Sequence, residues 1–423
     1  MTRLPAIARR VEDVTSTATI AAKTLLSLDT NPVPGDWTHI TKIDPEDEKQ
    51  LPLLYPLYLQ HTSAAEVGGS RDVTDQNTEE TLDLVADRPV PAFQEPSGPT
   101  QVTDKTRSKA EFLAIPEVLN GDVDALIGQL GAGIEHIQDD LAPKMIAEKL
   151  PISPGGAIED RLAQFASAWM LREAVFEAYI IMNLDSAAAR ESNVTEDDLL
   201  DPQTAKQRAL AAERHLESEL VYLEYSGTFG GSEAEAILES VSDGLTWSRL
   251  WYGGGLDSRE NAQRVLESGA DAVVVGNVFH EIADEEVDIC EQAVADLDPD
   301  ASREAVEEWV ESTVDISESS ARKYLSTIVD IPNPEGRARE YLVTTVRTWL
   351  AVQSVVAELD DDQPDSAQDI RVAFRDAELP GTIEIDAVLD EEEYLLDLLV
   401  DLAAPRYGVE ADGLPVKHVS LEL

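Results

Sequence analysis

Short apolar segments alternate with longer amphipathic segments from about residue 36 to residue 295. Eight of the apolar segments are short and rich enough in β-branched and aromatic residues to be strands, at 37–43, 64–67, 90–94, 112–115, 178–183, 220–225, 248–252 and 272–275. Helix-like stretches lie between several of them, at 75–85, 203–219, 232–240 and 258–268. This alternation predicts parallel strands joined by crossover helices, and eight such strands close into an α/β fold of the TIM (β/α)8 barrel type.

Three parts of the chain lie outside this alternation. Residues 1–35 form a weakly helical N-terminal extension that ends in a segment rich in proline and glycine. A long stretch between the fourth and fifth strands, about 129–177, predicts a helical insertion in the barrel. Beyond the barrel domain, 36–295, the region 296–423 is nearly all helical in pattern and very acidic, which predicts a helical accessory domain.

The chain is strongly acidic along its whole length. Asp and Glu number 84 against 32 Lys and Arg, which gives a formal net charge of −52. At about 1 M salt the Debye length falls to roughly 3 Å, so that neighbouring carboxylates hardly repel one another. The composition therefore predicts a halophilic protein that works in molar salt, and an acidic protein with a partner that needs acid is the alternative. The same charge opposes binding of nucleic acid.

Other features of the composition restrict the class of protein. A hydrophobic share of 43% is enough for a buried core, and the single cysteine, Cys290, permits no internal disulfide. No apolar run approaches the roughly 20 residues of a membrane span, and the first residues lack the apolar core of a secretory signal. The six histidines show no metal-ligand spacing. We therefore expect a cytoplasmic protein without a zinc site.

Glycine-containing turns follow the last three predicted strands: Ser226-Gly227, Gly253-Gly254-Gly255 and Gly276-Asn277. Glycine lets backbone N–H groups approach an anion closely, and loops after the last strands of a TIM barrel commonly hold phosphate. Because the net charge of the protein opposes anions, such a ligand has to be held by local dipoles. Ordinary barrel turns are the alternative interpretation.

Polar residues also stand at the ends of other strands. Lys42 and Asp44 are spaced by two and share one side of the first strand, where they are able to contact a phosphate or glycerol oxygen and a Mg²⁺ ion. Ser70 follows two glycines after the second strand and offers a further oxygen. Glu224 and Tyr222 share a face, and a carboxylate there is placed to accept a proton from a substrate hydroxyl. The alternatives are a surface salt bridge for the first pair and a buried ion pair for Glu224.

These segments occur in an order that resembles the geranylgeranylglyceryl phosphate synthase family, including its bacterial heptaprenylglyceryl phosphate synthases. The matching strings are KIDP (42–45), EVGGSRDVT (66–74), QEPS (94–97), VLN (118–120), YIIMN (179–183), YLEYSG (222–227), YGGG (252–255) and VVGN (274–277). The resemblance covers roughly 36–290, about three-fifths of the chain. It implies a TIM barrel with prenyltransferase activity.

The resemblance also implies roles for individual residues. Lys42 would bind glycerol phosphate, Asp44 and Ser70 would bind Mg²⁺, and Glu224 would orient the substrate hydroxyl and take its proton. Glycerol phosphate would lie in a cradle of Tyr222, Leu223, Glu224, Tyr225, Ser226 and Gly227, with its phosphate held by Gly253, Gly254, Gly255, Gly276 and Asn277.

The reaction implied is ether-bond formation between the C3 hydroxyl of sn-glycerol 1-phosphate and a polyprenyl diphosphate, taken as geranylgeranyl diphosphate, with release of diphosphate, in archaeal membrane lipid synthesis. Peripheral contact with membrane and a homo-oligomeric state accompany this expectation.

The sequence departs from the family pattern in several places. It has Asn183-Leu184-Asp185 where the family usually has Asn-Pro-Asp, its insertion is longer, and the two terminal regions are not part of the usual enzyme. These departures leave the prenyl chain length open. Two alternatives also stay open: another phosphate-binding TIM-barrel enzyme, and a catalytically inactive paralogue that binds prenyl phosphates or a protein partner.

Overall fold

Eight parallel strands form the centre of the protein. The computed structural model describes residues 28–69, 73–149, 157–411 and 413–423, together with Lys23 and Leu26. The strands are β1 His39–Ile43, β2 Ala64–Val67, β3 Ala92–Gln94, β4 Ala114–Val118, β5 Val175–Ile181, β6 Leu220–Glu224, β7 Arg249–Gly253 and β8 Ala272–Val275. They form one sheet in the order β3-β2-β1-β8-β7-β6-β5-β4. A bridge between Gln94 and Leu113 joins its two edges, so that the predicted TIM-type barrel is confirmed.

The two faces of each strand contribute to two separate cores, because successive side chains of a strand point to opposite sides. The inward side chains fill the barrel, and aromatic rings close its N-terminal end: Trp37 stacks on Phe93 at 6.0 Å between ring centroids, and Phe93 lies 5.8 Å from Trp251. The outward side chains pack under the surrounding helices. The polar inward residues therefore lie above the aromatic rings, toward the C-terminal ends of the strands.

Helices surround the barrel. In the barrel region they are Tyr55–Leu59, Asp75–Val85, Asp104–Lys109, Gln129–His136, Ala142–Lys149, Ala157–Glu173, Ala187–Glu191, Pro202–Ala211, Gly231–Ser242, Arg259–Glu267 and Asn277–Asp296. Short π-helical segments at Asp124–Gly128, Ile137–Leu141 and Ala212–Leu216 adjoin them, as do 3₁₀ turns at Pro99–Gln101 and Glu196–Asp198. Hydroxyl side chains cap the N-termini of several helices. The Thr74 side chain accepts a hydrogen bond from the backbone N–H of Asn77, and the Ser258 side chain accepts one from that of Asn261.

The described residues after the barrel form six further helices and a final 3₁₀ turn. They are Arg303–Thr313, Ser320–Thr327, Pro334–Asp362, Ala367–Asp376, Pro380–Leu389, Tyr394–Tyr407 and the turn Val416–His418. The second of them packs directly against the barrel wall. The Tyr324 hydroxyl hydrogen-bonds with Thr41 Oγ1 at 2.7 Å, and Thr327 Oγ1 hydrogen-bonds with His39 Nε2 at 2.9 Å. Both partners lie on β1, so the helix Ser320–Thr327 covers the outer face of this strand.

The insertion and the N-terminal extension are partly described. Helices at 124–149 and 157–173 occupy the predicted insertion. Of the extension, residues 28–35 run beneath the barrel, where the Asn31 side-chain amide donates to the backbone oxygens of Glu219 and Trp247 at 2.7 and 2.9 Å. In the part of the chain that the structure describes, no helix has the length and apolar character needed to cross a membrane.

Candidate active site

A cavity of about 710 Å³ opens at the C-terminal ends of the strands. The predicted site residues that line it are Lys42, Asp44, Tyr222, Glu224, Ser226, Gly227, Gly253, Gly254, Gly255, Gly276 and Asn277. They come from four strands, and the barrel brings them together because the carboxyl ends of parallel strands meet at one rim. The structure therefore gathers most of the predicted residues around one space.

Three predicted residues are not part of the described cavity wall. Leu223 lies on the outward face of β6 and is 1% exposed within the outer core. The Tyr225 ring is also buried outside the barrel, where it stacks against Tyr252 at 6.0 Å. The alternation of side chains along β6 turns both away from the cavity, so they support the loop from behind. Ser70 lies outside the described residues.

The glycine turn after β7 has no room for a side chain, because neighbouring atoms already occupy the positions where a Cβ would lie. A Cβ at Gly253 would lie 1.8 Å from the Tyr222 hydroxyl oxygen, and a Cβ at Gly254 would lie 2.5 Å from Tyr225 Cβ. Gly255 has a φ of +47°, a left-handed conformation that favours glycine. The backbone of this turn therefore borders the cavity directly, as an anion site made of N–H groups requires.

A long helix begins at the same rim. Gly276 precedes the 20-residue helix Asn277–Asp296, and no side chain caps its first N–H groups. The Phe279 N–H donates to the Gly276 backbone oxygen at 2.8 Å, but the N–H groups before it lack intrahelical acceptors. The aligned peptide dipoles place a partial positive charge there. Since both Gly276 and Asn277 line the cavity, the helix start and the glycine turns together form a site suited to a phosphate group.

Lys42 is held by two glutamates that the sequence did not single out. Lys42 and Glu66 are direct partners across β1 and β2, and Lys42 Nζ lies 2.7 Å from Glu66 Oε1. The ammonium also contacts Glu95, which accepts a hydrogen bond from the Tyr179 hydroxyl at 2.5 Å. Burial lowers the pKa of Lys42, but the Glu66 and Glu95 carboxylates outweigh it and raise the pKa well above its ordinary value. Lys42 is therefore a fixed cation in the cavity wall.

The two glutamates differ in acidity. Burial raises the pKa of Glu66 to about 8, and the charge of Lys42 opposes this rise. Burial also acts to raise the pKa of Glu95, but the Lys42 charge and hydrogen bonds from its neighbours outweigh it and lower the pKa. Glu95 is thus the more acidic of the two partners of Lys42. Glu66 is a charged residue inside the short apolar strand 64–67, and this is the feature of the sequence that could have indicated its role.

Glu224 is a buried carboxylate in the cavity wall. Its side chain is 3% exposed, and its Oε1 accepts from the Ser226 backbone N–H at 3.1 Å. Burial raises the pKa of Glu224 above its ordinary value. Among the described residues, no lysine or arginine lies within ion-pair distance of it, which removes the simple alternative of a buried salt bridge. The carboxylate is therefore available to a ligand.

Asp44 lines the cavity from the loop after β1. Its backbone N–H donates to His280 Nε2 at 3.1 Å, and His280 Nδ1 hydrogen-bonds with the Gln50 backbone oxygen at 3.0 Å. Since Nε2 accepts and Nδ1 donates, His280 is neutral and ties the loop after β1 to the helix behind it. A Cβ on Gly69 would lie 3.3 Å from Asp44 Oδ1, so the loop after β2 lies against this carboxylate.

The residues around Asp44 are compatible with Mg²⁺. In the described part of the chain, no group of three or more His, Cys, Asp or Glu side chains is arranged to hold a metal ion. Mg²⁺ usually takes only one or two carboxylates and completes its coordination with water and substrate oxygens. A single carboxylate that lines a cavity is consistent with this mode of coordination, and the binding of Mg²⁺ stays a prediction.

A second, apolar pocket adjoins the cavity. It has a volume of about 180 Å³ and lies between the β3 and β4 loops and the helical insertion. Its apolar lining includes Pro96, Pro99, Val102, Phe112, Leu113, Ile115, Leu130, Ile137, Leu141, Met170 and Leu171. Ser97 and Pro116 line both spaces, so the pocket continues the cavity toward the insertion.

Glu177 lies deeper in the barrel, and we expect it to lower the stability of the folded protein. It is fully buried, and neither carboxyl oxygen has a hydrogen-bond partner among the described residues. Burial raises its pKa well above the ordinary value, and the Glu95 and Glu66 charges raise it further. The folded protein thus retains a proton that the unfolded chain releases above roughly pH 4.3, so stability is lost as pH rises.

We expect Glu177→Met to raise the free energy of unfolding at pH 8 by about 1–3 kcal/mol, because it removes an unsatisfied buried carboxyl. Thermal unfolding between pH 5 and pH 9 in molar KCl measures the effect. Glu177→Gln serves as the control, since it keeps a polar group but cannot ionise. Both variants should show a flatter dependence on pH than the parent protein, and an unchanged slope would contradict the assignment.

Comparison with known proteins identifies the family. The model of the PcrB family matches residues 35–294. Geranylgeranylglyceryl phosphate synthase of Halobacterium salinarum is 31% identical over 249 residues, which cover 58% of this chain and 89% of that protein. Heptaprenylglyceryl phosphate synthase of Bacillus thuringiensis is 28% identical over 249 residues, 58% of this chain and 91% of that protein.

Among solved structures, (S)-3-O-geranylgeranylglyceryl phosphate synthase of Thermoplasma acidophilum, in complex with sn-glycerol-1-phosphate, has a TM-score of 0.41 at 20% identity and covers 58% of this chain and 86% of its own. The family resemblance predicted from the motifs is confirmed by the family model and the curated relatives. Since that model spans more than half of the sequence, the chain belongs to the PcrB family.

Proposed function

We propose that the protein transfers a polyprenyl group, taken as geranylgeranyl, to the C3 hydroxyl of sn-glycerol 1-phosphate and releases diphosphate. The chain is an enzyme of the prenyltransferase class, as its relatives are. The observation that carries the proposal is the shared cavity, in which the glycine turns after β6, β7 and β8 face the same space as Glu224 and Asp44. The ether formed is the bond that joins glycerol to prenyl chains in archaeal lipids.

Glycerol phosphate binds with its phosphate against the glycine turns and the start of the helix Asn277–Asp296. The peptide and helix dipoles there attract the phosphate and so offset the repulsion expected between this anion and a protein of net charge −52. With the phosphate so placed, the glycerol hydroxyls extend toward the interior, where Glu224 and Lys42 line the cavity. This orientation explains why the glycines, rather than basic side chains, occupy the phosphate end.

Glu224 acts as the general base. The bond between the prenyl C1 carbon and the diphosphate oxygen breaks, and a bond forms between C1 and the glycerol C3 oxygen. The hydroxyl proton passes to the Glu224 carboxylate, whose raised pKa makes it a better acceptor than an ordinary glutamate. Mg²⁺, held by Asp44 and Ser70, would supply positive charge to the leaving diphosphate. Lys42 keeps its charge and position through Glu95.

The prenyl tail enters the apolar pocket that continues the cavity. Polar lining around Asp44 and apolar lining beside the insertion match the two ends of a prenyl diphosphate, and Ser97 and Pro116 border both spaces. Burial of the tail there removes apolar surface from water. The identity to the Halobacterium synthase supports a geranylgeranyl chain.

Turnover is the decisive test. The purified chain is incubated in molar KCl with sn-glycerol 1-phosphate, Mg²⁺ and a panel of prenyl diphosphates, and the product is identified by mass spectrometry. We expect a Mg²⁺-dependent prenylglyceryl phosphate, highest with geranylgeranyl diphosphate, and far less product from sn-glycerol 3-phosphate. Asp44→Ala should abolish turnover while the circular dichroism spectrum is retained. Absence of product from the parent protein, with prenyl diphosphate still bound, would instead favour the inactive paralogue.

A further inference from the structure

The wall of the cavity includes a lysine from outside the family region. Among the described residues that line the cavity, Lys323 alone lies beyond residue 294, where the family match ends. It belongs to the helix Ser320–Thr327, which covers the outer face of β1. The helices that follow the barrel therefore reach the rim of the candidate active site.

The backbone that carries Lys323 is firmly anchored. Its neighbour Tyr324 is fully buried, hydrogen-bonds with Thr41 at 2.7 Å and packs against Phe279 at 5.2 Å between ring centroids. The helix start is fixed as well, because the Ser320 backbone N–H donates to Glu285 Oε2 at 2.7 Å. Both Phe279 and Glu285 lie on the helix whose first residue, Asn277, lines the cavity. The lysine is thus held beside the proposed phosphate site.

Among the described residues, the ammonium group of Lys323 has no acidic partner, as is also true of Lys23 and Lys49. Six other lysines lie within 4.0 Å of a carboxylate: Lys42, Lys105, Lys109, Lys144, Lys206 and Lys417. For Lys323, no carboxylate of the described residues lies within that distance, although 84 acidic residues surround 32 basic ones in the sequence. A half-buried cation without a counter-charge beside an anion site is available to a ligand.

We propose that Lys323 is a substrate-binding residue whose ammonium group contacts a phosphate oxygen of a substrate in the cavity. The inference rests on the proposed function and extends it, because it makes the helices after the barrel part of the active site. The oxygen belongs either to glycerol phosphate or to the diphosphate of the prenyl donor. A lysine suits either one, since its flexible stem and three N–H donors adapt to a phosphate from several directions. At molar salt only such direct contacts persist, because longer-range attraction is screened.

Steady-state kinetics of matched variants test the proposal. We expect Lys323→Ala to raise KM for one of the two substrates by about tenfold, the effect of losing a partly exposed charged hydrogen bond, while kcat changes less than about threefold. The substrate whose KM rises identifies which phosphate is contacted. Lys323→Arg should restore most of the affinity.

Arg322→Ala is the control, because it removes the same charge from the same helix at a residue that does not line the cavity. It should leave both KM values within about twofold of the parent, well below the tenfold loss of a charged hydrogen bond. Unchanged KM values in Lys323→Ala would overturn the proposal, and so would an equal rise in Arg322→Ala, which would indicate a general effect of charge.

Equilibrium binding separates this inference from the proposed function. Calorimetric titration of the full chain with sn-glycerol 1-phosphate, and separately with inorganic diphosphate and Mg²⁺, requires no turnover. Weaker binding of sn-glycerol 1-phosphate or of diphosphate to Lys323→Ala, but not to Arg322→Ala, supports the contact between Lys323 and a phosphate oxygen. This holds even if the parent protein makes no product. Equal affinities in the parent and Lys323→Ala, or no binding of either ligand to the parent, would refute it.

Discussion

Replacing Glu224 by glutamine is expected to lower kcat by about 10²- to 10⁴-fold, the usual contribution of a positioned general base. Glutamine has nearly the same shape and is still able to accept the hydrogen bond from the Ser226 N–H. The cavity should therefore keep its form, and KM for both substrates should change little. What is lost is the ability to take the proton of the glycerol hydroxyl as the ether bond forms.

The dependence of the rate on pH gives a second, independent measurement. A base works in its deprotonated form, so activity falls as pH falls through its pKa. Because burial raises the pKa of Glu224, the acidic limb of the kcat/KM profile should lie above the value of roughly 4.3 for an ordinary glutamate. The residual activity of Glu224→Gln should lack this limb.

Glu117 provides a matched control for this substitution. It is another buried strand glutamate, hydrogen-bonded with Ser218 at 3.3 Å, and burial raises its pKa to about 7, but it does not line the cavity. Glu117→Gln should leave kcat within about twofold, because no positioned base is removed. If Glu224→Gln kept more than a tenth of the parent kcat, another group would have to be the base.

The barrel is predictable from the sequence, but some of the predicted strand boundaries are wrong. A buried glutamate and a proline are the causes. The pattern predicts the fifth strand from residue 178, whereas β5 begins at Val175, because Glu177 interrupts the apolar pattern although it points into the barrel. It predicts the fourth strand at 112–115, whereas β4 runs from Ala114 through Pro116 to Val118. In both cases pairing with neighbouring strands overrides the local pattern.

The candidate site was predictable where a single strand end supplies it, and less so where distant segments meet. The glycine turns lie at or just after the ends of their strands and Glu224 is the last residue of β6, so their convergence follows from the barrel alone. The contact of Lys42 with Glu66 depends on the register of β1 against β2, which periodicity does not determine. Lys323 reaches the cavity only through the packing of a helix on the barrel wall, and no local pattern indicates this.

The conformation of Gly255 makes it the most sensitive position of the phosphate site. Its φ of +47° disfavours any side chain, and a Cβ there would lie 2.4 Å from the Thr228 carbonyl carbon and 2.6 Å from the Phe229 nitrogen. Both obstructing atoms are backbone, so no rotation of a side chain relieves the clash. In Gly255→Ala the turn after β7 has to move away from the loop after β6, although these two loops together border the phosphate.

We expect Gly255→Ala to raise KM for sn-glycerol 1-phosphate by about 100-fold, since a displacement of about 1 Å in a binding site costs that much. Kinetics and calorimetry with this substrate measure the effect. Gly408→Ala is the control, because Gly408 has a φ of +66° with nothing within 4 Å of an added Cβ. Both variants bear the left-handed penalty of roughly 1–2 kcal/mol, but only Gly255→Ala should lose affinity. Retained affinity in Gly255→Ala would place the phosphate away from this turn.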